Sequence, residues 1–258
     1  MSKENKYTIE KITYLKQWTD HLFSFKITRN EAFKFIPGQF ARLGLKKEDG
    51  TFVWRPYSVV SADYDEELEF YSIIVPDGEF TQRLKNLKVD DEIYVDKTNY
   101  GLLTTDRFEN GKDLWFLSTG TGLAPFISIM YDFSIWEQYE NVILVHCARE
   151  AEELVYQDTI NEFFTHEYYG DLVKNKLKYV KILTRDKNNA DLYGRITELI
   201  ENKKLEQYVG LDLTIENSRI MICGNPQMVD DTRKMLSSRG LTISKRANPG
   251  NMAVENLW

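Results

Sequence analysis

The character of the sequence changes once, near residue 106, and that change constrains the fold more than any single motif. Before it, the apolar segments are short: 7–14, 21–27, 39–45, 57–61, 67–74 and 92–95. Turn residues punctuate them at Pro37-Gly38, Glu48-Asp49-Gly50, Pro76-Asp77-Gly78 and Val89-Asp90-Asp91. Strands this short, with turns this frequent, predict an antiparallel β-barrel or sandwich, interrupted by one helix over 80–86. After the change, apolar runs at 114–117, 141–146, 177–183 and 219–222 alternate with helical stretches at 125–137, 154–167, 196–201 and 226–239. Strand–helix alternation predicts βαβ units and a mostly parallel sheet of the nucleotide-binding kind. The polar segment 104–112 is the expected linker, which divides the chain into units 1–105 and 106–258. Ligands of such sheets lie at the carboxyl ends of the strands, so the active site is expected in a cleft between the halves.

Composition closes off several classes of function. Only two cysteines, Cys147 and Cys223, and three histidines occur in 258 residues. That is too few for a disulfide framework or an iron–sulfur cluster, and a Cys/His zinc site would be hard to assemble; no metal site is expected. Redox chemistry would then rest on an organic cofactor or a separate partner. The net charge of −7 argues against a general nucleic-acid binder. No apolar run reaches the roughly 18–20 residues that cross a bilayer, and the first ten residues are too polar for a signal peptide. A cytoplasmic monomer is the expectation.

Four segments carry candidate chemistry, each with a purely structural alternative. Ser118 to Pro125 contains Gly120, Thr121 and Gly122 between an apolar strand and an amphipathic helix. Glycine lets a pyrophosphate approach the backbone, and Pro125 suits a first helical turn; the same turn also serves as a plain tight connection. Arg55-Pro56-Tyr57-Ser58 offers a cation for a diphosphate, a ring to stack on a cofactor and a hydroxyl for its polar edge. By itself it reads as an edge strand with a surface arginine and a core tyrosine. The stretch from Tyr71 through Val75, Gly78, Phe80 and Thr81 runs from strand through turn to helix, where backbone N–H groups could hold a second phosphate. Alternatively, Thr81 is simply the capping hydroxyl of that helix. Cys223-Gly224-Asn225 follows the last predicted strand, where a small polarizable thiol could touch a nicotinamide or merely fill the core. Arg149, Arg185 (after Thr184) and Arg195 each follow a strand or turn; convergent, they would suit a 2′-phosphate, and singly each is a surface charge.

In this order the segments resemble the ferredoxin–NADP⁺ reductase superfamily over nearly the whole chain. Arg55, Tyr57 and Ser58 match its R-x-Y-S flavin motif. Gly120, Thr121, Gly122 and Pro125 match G-T-G-x-x-P, and Cys223 and Gly224 match its C-G pair. The end of the chain, from Ala247 to Met252 and Val254 to Trp258, is similar to the extension of the bacterial ferredoxin/flavodoxin reductases. The resemblance implies an FAD barrel followed by an NADP domain with a flavin-contacting tail. It places Trp258 on the adenine of a folded FAD and Leu257 against the isoalloxazine, where some members carry an aromatic. Arg149, Thr184, Arg185 and Arg195 fall where that group binds the 2′-phosphate.

The implied activity is electron exchange between NADPH and ferredoxin or flavodoxin, by hydride transfer from nicotinamide C4 to flavin N5 and then one-electron steps. Ser58 and Cys223 are the candidate contacts at the transfer site, with Glu255 for proton supply. Arg29, Lys34, Lys46, Lys47 and Arg83 could form a basic patch for an acidic carrier. Two rival readings are a reductase component of an oxygenase system and an electron-transfer subunit that does not oxidise NADPH by itself.

Overall fold

The computed structural model describes residues 6–245 and 247–256. Its first half is a six-stranded antiparallel sheet built from β1 (Tyr7–Gln17), β2 (Leu22–Thr28), β3 (Phe40–Lys46), β4 (Phe52–Ser58), β5 (Glu67–Ile73) and β6 (Glu92–Asp96). The strand order is β4-β3-β6-β1-β2-β5. The sheet curls until its two ends touch: Val59 bridges Phe70, and the Val60 amide donates to Glu69 O at 2.8 Å. The result is the expected antiparallel barrel, joined at that seam by little more than one bridge. Its interior is aromatic, with Phe25 5.4 Å from Phe70 between ring centroids, and helix α1 (Glu79–Leu84) plugs one end with Phe80 and Leu84.

The second half is a six-stranded parallel sheet in the order β10-β9-β8-β7-β11-β12. Its strands are β7 (Asp113–Thr119), β8 (Asn141–Ala148), β9 (Leu177–Leu183), β10 (Leu192–Tyr193), β11 (Ser218–Cys223) and β12 (Met252–Glu255). β7, β8 and β11 are buried along nearly their whole length, as strands covered on both faces by helices must be. The chain moves outward from β7 to β10, then returns to the other side of β7 as β11. The switch point therefore lies between β7 and β11, where a ligand crevice is expected.

The strand expected over 57–61 is β4, which starts at Phe52 and ends at Ser58. The helix expected over 125–137 is two, α2 (Ala124–Met130) and α3 (Phe133–Gln138), because Asp132 turns its carboxylate onto the Ser134 amide and caps a new start. The helix expected from 154 begins only as α4 (Gln157–Thr165), since Tyr156 sits in the left-handed region at φ 62°. Four elements have no counterpart in the sequence reading: β10, β12, α5 (Gly170–Lys176) and α7 (Lys204–Val209). The expected helices α6 (Ile196–Glu201) and α8 (Pro226–Ser238) are present.

The halves are not strung loosely together. Buried Arg219 on β11 donates to the backbone carbonyls of Glu109 (3.0 Å) and Asn110, fastening the linker to the second sheet. One hydrophobic cluster contains Leu22, Val60 and Tyr71 from the barrel and Leu123, Ile127 and Tyr156 from the second half. Buried Ser128 donates to Ser61 O at 2.7 Å, and Tyr156 donates to Glu69 Oε1 at 2.6 Å. No helix of the described residues is long and apolar enough to cross a membrane.

Candidate active site

A cavity of about 300 Å³ opens where the barrel meets the switch point. From the barrel it receives Arg55, Pro56, Tyr57 and Ser58, the last four residues of β4. Pro56 is tolerated since β4 is the first strand in the sheet order and one of its edges carries no ladder. Tyr57 is packed against Phe25, Phe70 and Phe80, and its hydroxyl shares a 2.9 Å hydrogen bond with Ser72 Oγ. Burial pushes the Tyr57 pKa up to about 12, so the phenol stays neutral.

Tyr71, Val75, Gly78, Phe80 and Thr81 line the same cavity. Thr81 does not cap α1; its hydroxyl accepts the Val75 amide (3.1 Å) and reaches the carbonyls of Val75 and Gly78, which ties the turn to the helix. A Cβ on Gly78 would lie 2.7 Å from Thr81 Oγ1 and 2.9 Å from Val75, so this turn closes only around glycine.

The opposite wall is made by Thr121, Gly122, Ala124 and Cys223, at the carboxyl ends of β7 and β11. These two loops pack backbone against backbone. A Cβ on Gly122 would stand 2.3 Å from Cys223 O, and one on Gly224 would stand 2.2 Å from Thr119 Oγ1. Thr119 Oγ1 also accepts the Asn225 amide at 2.8 Å. Gly120 and Gly224 both adopt positive φ, and Pro125 lies in the first turn of α2. Gly120, Gly224 and Asn225 do not line the cavity, and the Asn225 side chain serves as the cap of α8.

Behind Cys223 lies a carboxylate. Glu255 on β12 is the register partner of Cys223, only 8% exposed, and its Oε2 has no hydrogen-bond partner among the described residues. Burial pushes its pKa up to about 8, against a hydrogen bond from the Leu102 backbone. Burial, with the nearby Glu255 charge, also pushes the Cys223 thiol far above its ordinary range, so this cysteine is a neutral contact and not a nucleophile.

The three arginines come together at the backbone level. Arg149, Arg185 and Arg195 follow β8, β9 and β10, neighbours in the sheet. The Arg185 amide donates to Arg149 O at 3.0 Å, Thr184 N to Ala148 O at 3.1 Å, and Gly194 N to Leu183 O at 3.0 Å. They sit farther along the sheet's carboxyl edge than the cavity, as the far end of an extended dinucleotide would. Of the basic-patch candidates, Arg29 is already committed, donating to the carbonyls of Phe33, Asp63 and Asp65. Leu257 and Trp258 lie outside the described residues.

Sequence reasoning missed Ser72, Ile73 and Ala124, which also line the cavity. Ser72 and Ile73 directly follow Tyr71 on β5, and Ala124 is the small residue before Pro125, so proximity to the motifs was the available signal.

Two family models match the halves just described, an oxidoreductase FAD-binding domain over residues 8–101 and an oxidoreductase NAD-binding domain over 116–234. The chain is 45% identical to the ferredoxin–NADP reductase of Pseudomonas aeruginosa, covering 98% of both chains. It is 42% identical to that of Azotobacter vinelandii, covering 97% of both. The chain belongs to the ferredoxin–NADP reductase family. A crystal structure of the Neisseria gonorrhoeae ferredoxin NADP⁺ reductase with bound FAD and NADP superposes with a TM-score of 0.91, at 38% identity, over 99% of this chain and all of that one. Within the family fold, the cavity fits a flavin on its own chemistry. Its lining sets the rings of Tyr57, Tyr71 and Phe80 beside the polar groups of Arg55, Ser58 and Thr81, a surface suited to a flat aromatic ring that carries a polar edge and a phosphate.

Proposed function

We propose that this chain is an FAD-dependent reductase that moves electrons between NADPH and a ferredoxin or flavodoxin. The observation that carries this is the two-walled cavity: Tyr57 and Ser58 of the barrel face Thr121, Gly122 and Cys223 of the parallel sheet across one space. In this reading residues 1–105 hold FAD, through Arg55, Pro56, Tyr57, Ser58, Tyr71, Val75, Gly78, Phe80 and Thr81, and residues 106–258 hold NADPH and supply the flavin-contacting tail. When bound, the flavin links the two-electron chemistry of nicotinamide to the one-electron chemistry of the carrier.

The chain's own residues position and insulate. The Tyr57–Ser72 bond fixes the ring that faces the cofactor. The interlocked Gly122 and Gly224 hold Cys223 at the cavity wall. Glu255, with its pKa near 8, keeps a proton at neutral pH directly behind that thiol, where Ser58 and Cys223 are the proposed contacts at the transfer point. Arg149, Thr184, Arg185 and Arg195 give the 2′-phosphate selectivity that separates NADPH from NADH. A cytoplasmic monomer that binds neither nucleic acid nor membrane is part of the same reading.

Anaerobic titration of the purified protein with NADPH and NADH, followed in the visible spectrum, tests it. A yellow protein bleached at far lower NADPH than NADH is expected. A colourless protein that takes up no flavin on reconstitution would overturn it.

A further inference from the structure

Arg149 does not stand on a free loop. The segment 149–156, between β8 and α4, is fastened to the barrel at several points. Tyr156 donates to Glu69 and packs its ring on Trp18 (centroids 5.2 Å apart) and Tyr71 (5.4 Å). Glu153, only 8% exposed, uses both carboxylate oxygens. Oε2 accepts the backbone amide of Arg149 at 2.9 Å, and Oε1 lies 2.9 Å from Nε2 of His21, which joins the β1–β2 turn of the barrel. The same Oε1 faces Arg149 Nε at 3.8 Å. A carboxylate can only accept, so His21 carries its proton on Nε2.

This geometry gives Glu153 a task that packing alone does not require. By holding the amide and facing Nε of one arginine, it leaves the two terminal nitrogens of that guanidinium, which is half exposed, for an outside anion. By binding His21 it refers that placement to the flavin half of the molecule. We infer that Glu153 is a positioning residue for recognition of the nucleotide's 2′-phosphate, and that His21 transmits the barrel's position to Arg149 through it. The inference rests on the reading of Arg149 as a 2′-phosphate contact.

The probes are adenosine 2′-monophosphate and adenosine 5′-monophosphate, used as competitors of NADPH with the intact FAD-loaded protein. Glu153→Ala is expected to weaken the 2′-monophosphate about five- to thirtyfold while changing the 5′-monophosphate less than twofold; KM for NADPH rises and kcat moves little. Glu153→Gln, which keeps an acceptor for the Arg149 amide but loses the charge, is expected to fall between wild type and Ala. It also serves if the alanine variant folds poorly. His21→Ala is expected to show the same selective loss, and the double variant to be no worse than Glu153→Ala, because both act through one carboxylate. Loss of both probes in equal measure, no loss of either, or full additivity with His21→Ala would each overturn the inference. Arg149→Gln separates the two levels. If it loses the 2′-monophosphate while the Glu153 variants do not, only this inference fails. If Arg149→Gln binds both probes normally, the 2′-phosphate reading itself fails and takes the inference with it.

Discussion

Glu255 shows how much one residue's surroundings alter its chemistry. Its carboxyl titrates near 8 because water is excluded from it, against an ordinary value of 4.5. The folded form therefore holds a proton that the unfolded chain releases above about pH 4.5. The contribution is fully present below that value and is lost as pH rises through 8, a swing on the order of a few kcal/mol. Denaturant unfolding at pH 5 and pH 8 is expected to show a larger loss of stability in wild type than in Glu255→Gln. Equal slopes would place the carboxyl in contact with water. At the same spot, Cys223→Ala is expected to slow flavin reduction by NADPH about ten- to a hundredfold while leaving NADPH affinity within a few-fold. Stopped-flow absorbance at the flavin band reads the rate directly.

Among elements, the junction of β7 and β11 is the most tightly specified. Gly224→Ala would place a methyl 2.2 Å from Thr119 Oγ1 at a φ of +135°, so a loss on the order of 2 kcal/mol or more is expected, read as a lowered denaturation midpoint. This junction was legible in the sequence because its signals are local: glycines, a helix-starting proline and a strand lie within a few residues of one another. The alternation of the two halves was legible for the same reason. What escaped depends on distant partners. β12 is a strand only because β11 lies beside it, and no pattern within its four residues announces that pairing. The single helix expected over 125–137 divides because Asp132 finds the Ser134 amide, a choice that propensity alone does not make. Glu153 and His21, 132 positions apart, gave no sign of each other.

At the scale of the molecule, the two halves share one hydrophobic cluster and polar ties that include Ser128 to Ser61, Tyr156 to Glu69, His21 with Glu153, and the Leu102 backbone to Glu255. Tyr156→Phe removes the hydrogen-bond donor to a mostly buried carboxylate, Glu69, whose other oxygen faces Lys26, and is expected to cost about 1–3 kcal/mol. Far-UV circular dichroism and flavin release should still report one coincident transition; two separated transitions would mean that the halves are energetically independent. The shared cluster also bears on how such a chain is made. Synthesis delivers the barrel first, and Leu22, Val60 and Tyr71 then face water until the residues that cover them, among them Leu123, Ile127 and Tyr156, leave the ribosome. For that interval the nascent protein carries an uncovered apolar flank, the kind of surface on which chaperones act and from which aggregates start.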